Sequence, residues 1–248
     1  TGAIGKHPWK LAFIGPDGTN ESFTYTSCST GYSADKPEYH TKLTHNSDGT
    51  IKALLKDQSE YIFDATFKLI SSKDKIGNKI TYSYDSSSKL ISISDSSGHS
   101  LSLSYNSSGL ISAVSDWTGR KVQYSYDAQS NLTSVTDPRG NITRYEYDSN
   151  NKLSKIINKA GQVVTENAYT LDSKLSSQKN ASGVLVSFNY NEPTKTVTAQ
   201  DSNSRVGRAV YDDKARVTEA TDALSNSLKY TYGAEYLPLT APDKSNNK

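Results

Sequence analysis

Four histidines (His7, His40, His45 and His99) and a single cysteine, Cys28, are the residues of this chain best suited to metal binding or nucleophilic chemistry. Their spacing supports neither. No two histidines stand at the i, i+4 interval of a helical zinc pair, and none is matched with a second ligand type such as cysteine. Surface or turn positions account for them, and no metal is expected. Cys28, within Tyr25-Thr26-Ser27-Cys28-Ser29-Thr30, has no catalytic partner identifiable from the sequence. It reads as a buried free thiol or, in a secreted protein, as a link between two chains. Carboxylates are more regular. The pairs Asp95/Gly98, Asp116/Gly119 and Asp137/Gly140 each belong to an Asp-x-x-Gly motif. That motif lacks the alternating oxygen ligands of a calcium loop. Near-identical copies also give no two acids the different environments that glycoside hydrolysis requires. An aspartate accepting hydrogen bonds from the amides of its own turn explains the motif without metal or catalysis. The chain is therefore expected to be non-enzymatic, with no catalytic residue and no cofactor.

Tyrosine is the remaining candidate. The chain has 17, and Tyr82, Tyr84, Tyr105, Tyr124, Tyr126, Tyr145 and Tyr147 recur at positions that fall into columns. Exposed columns would offer flat amphipathic faces for sugar rings, with Ser, Asn and Asp to bond hydroxyls. Packed columns would simply hold neighbouring elements together, with hydroxyls reaching water at one edge. Both readings stay open from sequence. Five Asn-x-Ser/Thr sequons, at Asn20, Asn106, Asn131, Asn141 and Asn180, matter only in a host that glycosylates.

The element that must carry these columns repeats. Asp or Asn occurs at 74, 95, 116, 137, 158, 180, 201, 222 and 243, every interval being 21 residues except one of 22. Within a unit the apolar period is two: Ile80-x-Tyr82-x-Tyr84, Leu101-x-Leu103-x-Tyr105 and Val122-x-Tyr124-x-Tyr126 each place three bulky side chains on one face. A turn and a second short strand follow, carrying Leu90 and Ile93, Ile111 and Val114, or Leu132 and Val135. Asp-first, Gly-last turns then close the unit. Each unit reads as a β-hairpin, marginal alone and stable when stacked. Leu, Ile, Val and Phe amount to 47 of 248 residues, too few for a large conventional core but sufficient for a thin one running along a repeat. The fold class predicted is all-β, with stacked hairpins of 21-residue period forming a curved, shell-like open sheet. A net charge of +2 with both signs interspersed leaves no footprint for nucleic acid, and no apolar run is long enough to span a membrane as a helix. The sequence starts at Thr1 and contains no Met, which reads as a processed product or an excerpt of a longer chain.

The segment Asp137-Pro-Arg-Gly-Asn-Ile-Thr-Arg-Tyr-Glu-Tyr-Asp148, closely followed by 74–85 and 116–127, resembles the YD repeat of RHS proteins. The resemblance covers residues 60–243, an array of eight to nine hairpins, preceded by an irregular β-rich segment over 1–59 and followed by a tail over 244–248. It implies a large secreted or surface-displayed β-architecture. In polymorphic toxins, insecticidal toxin complexes and teneurins such arrays spiral into a hollow shell, which in the toxins encloses an effector. The chain has too few units to close a shell alone, and the family's C-terminal core signature with its self-cleaving aspartates is missing. Ser204 and Ser225 stand where Gly is expected. Expected partners are other copies of the chain or the rest of a longer RHS chain, with surface glycans as a further option. Neither nucleic acid nor a membrane span is expected. The expected location is extracellular or at the cell surface. Three functions follow: a structural wall or surface layer, a carbohydrate-binding adhesion module, and a fragment of a toxin-encapsulating shell.

Overall fold

A computed structural model describes residues 10–16, 18, 20–26 and 31–232 in full, and Ser27 and 238–240 by their backbone. His7, Trp9, Cys28, the last Asp of the period at 243 and the 244–248 tail lie outside the described residues. All regular elements among the described residues are strands, and they fall into two compact units meeting at Val122 and Gln123.

The first unit opens with β1 (Lys10–Ile14), β2 (Asn20–Ser27) and β3 (Gly31–Ala34), an antiparallel sheet of their own. An antiparallel meander follows: β4 (Lys42–His45), β5 (Ile51–Leu54), β6 (Glu60–Phe63), β7 (Leu69–Lys73), β8 (Lys79–Tyr84), β9 (Leu90–Asp95), β10 (Ser100–Tyr105) and β11 (Ile111–Asp116). Register assigns the faces. Leu43, Ala53, Tyr61, Ser72 and Ile80 are successive cross-strand partners, so they share one face. Tyr82, Ile93, Leu101, Leu103 and Val114 continue that face over β8–β11, as alternation and pairing require. The opposite face of β8–β11 carries Thr81, Ser83, Ser92, Ser94, Ser102, Ser104, Ala113 and Ser115.

The small β1–β3 sheet is packed against the first face at its β4–β6 end. Phe13, Phe23, Tyr32, Leu43, Ile51 and Ala53 form the buried cluster, with Tyr61 and Phe63 packed beside it. Gly31 sits where β3 passes β4: a Cβ there would meet the His45 amide nitrogen at 3.2 Å, and its φ of +72° suits only glycine well. Beyond β6 the same face is half-exposed, with Ile80 and Leu101 about two-fifths accessible. The thin core inferred from composition is thus concentrated under one end of the repeat.

The second unit takes over within β12 (Lys121–Tyr126) and continues through β13 (Leu132–Thr136), β14 (Ile142–Tyr147), β15 (Leu153–Ile157), β16 (Val163–Tyr169), β17 (Leu175–Asn180), β18 (Leu185–Asn191), β19 (Thr196–Asp201), β20 (Val206–Tyr211), β21 (Val217–Thr221) and β22 (Ser227–Lys229). It is again an open antiparallel meander in chain order. A short pair, β23 (Thr231–Tyr232) and β24 (Pro238–Thr240), ends the described chain. Here Tyr124, Val135 and Thr143 share a face, as do Tyr145 and Ile156. The opposite face carries the cross-strand series Glu146, Lys155, Glu166 and Lys179, alternating in sign. The all-β stacked-hairpin class is therefore what both units adopt.

Candidate functional site

Each Asp-x-x-Gly motif builds the same turn. At Asp137 the backbone amide donates to the Asn141 carbonyl at 2.9 Å, and the Gly140 amide donates back to the Asp137 carbonyl at 2.9 Å. The side chain closes the turn from inside. Its Oδ1 accepts from the amides of Arg139 (2.8 Å) and Asn141 (2.9 Å), and its Oδ2 accepts from Asn141 Nδ2 at 2.7 Å. Asp95 does the same with the amides of Ser97 and His99, its Oδ2 lying 2.9 Å from His99 Nδ1. Asp116 takes the amides of Thr118 and Arg120, and Arg120 Nε donates to its Oδ2 at 2.6 Å. The Thr118 hydroxyl, with Arg120 behind it and desolvation acting against both, holds the Asp116 carboxyl down to about 2. The Arg216 side chain and backbone amide do likewise for Asp212, also to about 2. Carboxylates so engaged are turn clamps. Gly98, Gly119 and Gly140 supply φ between +82° and +88°.

A second series of turns alternates with the first. Asp85, Asp127 and Asp148 clamp it identically, but the left-handed residue is Ser88, Ser130 or Asn151, with φ of +58° to +70°. Ser204 and Ser225 adopt the left-handed region as well, at +62° and +67°, so the loss of Gly there leaves the turn geometry intact.

The tyrosine that precedes this second turn is a brace between hairpins. Tyr84 Oη donates to the Leu69 carbonyl (2.8 Å), Tyr105 to Leu90 (2.6 Å), Tyr147 to Leu132 (2.9 Å) and Tyr190 to Leu175 (2.9 Å), always 15 residues back. Tyr232 donates to Val217 at the same spacing, and Tyr169 to Leu153 one residue further back, at 16. Tyr211 departs, donating to Glu192 Oε2 at 3.1 Å, because the Asn191–Lys195 turn has its own irregular sequence. Burial pushes the hydroxyls of Tyr84 and Tyr147 up, as expected for rings set into the sheet. A cation covers several of these rings: Lys68 over Tyr84, Lys89 over Tyr105, Lys174 over Tyr190 and Arg216 over Tyr232, at 4.6–5.4 Å from the ring centre. Tyr82, Tyr124 and Tyr145 are half-buried; Tyr82 shares a hydrogen bond with Ser72 at 3.2 Å. Tyr126 is half-buried too.

Sequence reasoning missed the basic cover. Its trace is a Lys or Arg 16 residues before the tyrosine, hidden because it precedes an apolar strand and reads as a solvated turn residue. His99 lies against Trp117, ring centres 4.2 Å apart. His40 and His45 lie apart from it in sequence, and among the described residues no three His, Cys, Asp or Glu side chains are grouped to hold a metal ion.

The sequence matches the family model described as Teneurin YD-shell over residues 44–184, more than half of the chain. No curated protein matches it. The crystal structure of TcdB2-TccC3-Cdc42 aligns with a TM-score of 0.50 at 15% identity, covering 91% of this chain and 16% of that one. A Photorhabdus luminescens Tc holotoxin pore carrying a TccC3 mutation gives 0.50 at 15% identity, over 90% of this chain and 16% of that one. At this identity the likeness is one of fold, and the chain spans about a sixth of the length of the solved chains it matches. The hairpin period, the tyrosine braces and the match over 44–184 converge on one conclusion: the chain belongs to the teneurin YD-shell family.

Proposed function

We propose that this chain is a non-catalytic wall segment of a YD shell that works outside the cytoplasm, joined to further repeats of a longer chain or to other copies. The carrying observation is the brace. The hydroxyls of Tyr84, Tyr105, Tyr147, Tyr169, Tyr190 and Tyr232 are each committed to a carbonyl of the hairpin before, so the residues most suited to binding are engaged in holding the wall together. The turn carboxylates are committed likewise. The faces fit a wall as well. In each unit one face carries Tyr, Leu, Ile and Val, and in the second unit the other face carries a charged ladder. Such asymmetry suits a partition with water on one side and enclosed contents on the other. No helix among the described residues is long and apolar enough to cross a membrane.

Electron microscopy of the native material, paired with its intact mass, tests the reading. The expected result is a closed or polymeric β-walled particle into whose wall these hairpins fit. A free monomer of 27.1 kDa with an open sheet would overturn it.

A further inference from the structure

Sixteen residues before Tyr84, Tyr105, Tyr190 and Tyr232 stands a Lys or Arg whose charged group lies over the ring. Sixteen residues back, the basic residue gives way to the apolar Leu110 before Tyr126 and to the polar Asn131 before Tyr147, while before Tyr169 the 22-residue interval moves Lys152 to seventeen. The Asn131 side chain is too short to cover the Tyr147 ring and turns aside, donating to Asp127 Oδ2 (3.0 Å) and to Asn151 Oδ1 (3.0 Å). Tyr147 keeps its brace to Leu132, but no cation lies over it among the described residues. Where the lysine would be, there is an open cleft of about 600 Å³, lined by Tyr147, Tyr145, Gln129, Thr133 and the carboxylates of Asp127, Glu146 and Asp148. No basic side chain lines it.

The sibling repeats show what chemistry fits this place. Lys174, over Tyr190, is also gripped by Asp172 at 3.0 Å and by Glu192, and these carboxylates raise its affinity for its proton. Lys89, over Tyr105, packs its ammonium against Gly109, the counterpart of Asn151. A ring face under a basic group thus recurs, with carboxylates added around Lys174 and a turn backbone beside Lys89, and in the Tyr147 repeat this place lacks its own lysine. We propose that the cleft over Tyr147 binds a primary alkylammonium group, either a free polyamine or the side chain of a lysine on another polypeptide. The ring contributes cation–π attraction, the carboxylates set the sign of charge, and the Asn151 Oδ1 offers an acceptor. A single seat of this kind, open to water, gives millimolar affinity that weakens with salt.

The test is a titration of the full chain with cadaverine, followed by the ring resonances of Tyr147, with n-pentanol as the uncharged control. Saturable shifts are expected with cadaverine and none with n-pentanol. Asn131→Lys, which restores the residue found at sibling positions, should fold and weaken cadaverine binding by about tenfold or more, as loss of the cation–π seat implies. Lys89→Asn should uncover Tyr105 and add a second equivalent of bound cadaverine. No saturable shift in the unaltered chain, or binding that neither variant changes, would overturn the proposal. N-acetyl-lysine methylamide binding more tightly than cadaverine identifies a lysine side chain as the source; the reverse order identifies a free polyamine.

Discussion

Two tyrosine hydroxyls in this chain sit in opposite circumstances. Tyr84 donates to Leu69 across a hairpin boundary, whereas Tyr32 is 94% buried by area and its hydroxyl has no partner among the described residues. Removing the first forfeits a bond and leaves a half-buried carbonyl under-satisfied; removing the second relieves a buried donor of an unmet demand. Tyr84→Phe is therefore expected to lower unfolding stability by ~1 kcal/mol. Tyr32→Phe should be neutral or stabilising by up to ~1 kcal/mol. Urea titrations of the two variants against the parent check the difference in sign. Equal destabilisation by both would contradict the brace as the distinguishing feature.

A hairpin holds its shape through the clamps at its turns, most of which are ionised carboxylates, with neutral Asn106, Asn158, Thr170 and Asn180 in the same role at four turns. The carboxyls of Asp116, Asp127, Asp137, Asp201 and Asp212 are all held below the usual aspartate range, chiefly by hydrogen bonds from the side chain two or four residues on. A depressed folded-state pKa means that the unfolded chain takes up protons first as pH falls. The clamp's contribution is therefore complete above the unfolded value of about 4 and is lost on descending through the folded values. For Asp116 and Asp212 those values are about 2. Stability should be flat from neutral pH to about 5, then fall steeply between about pH 4 and 2. The urea midpoint as a function of pH measures this, and an unchanged midpoint at pH 3 would show that the carboxylates do not need their charge.

At the scale of the whole chain, each unit is a run of hairpins in which a strand meets only its neighbours, so stability is close to a sum over repeats and their contacts. Removing one full period should leave a folded protein. Deleting residues 85–105 joins Tyr84 to Asn106 and recreates a Tyr-Asn turn in register. The shortened chain is expected to keep its β-sheet circular dichroism and a single urea transition, with a denaturant slope reduced roughly in proportion to its length. Loss of β structure would mean that particular repeats, rather than the period, specify the fold. The first unit carries a second layer: the β1–β3 sheet covers the apolar face over β4–β6, and the contact between them holds six of the seven buried hydrophobic side chains among the described residues. The rest of that face relies on cross-strand pairs and braces.

The 21-residue period, the alternation within Ile80-x-Tyr82-x-Tyr84 and the Asp-x-x-Gly turns were sufficient by themselves to determine a stacked-hairpin protein, because local geometry leaves such a pattern few other ways to pair. The turn role of Asp95, Asp116 and Asp137 was legible for the same reason: an aspartate and the amides it clamps lie within four residues of each other. What each tyrosine does was not legible. Tyr84 and Leu69 are 15 residues apart, and only strand register brings that hydroxyl to that carbonyl. The basic cover depends equally on register, and so does its absence at Tyr147, where Asn131 looks like one more polar turn residue in the sequence. Tertiary structure decided these features because they are contacts between hairpins, and the sequence of one hairpin carries no record of which neighbour it will face.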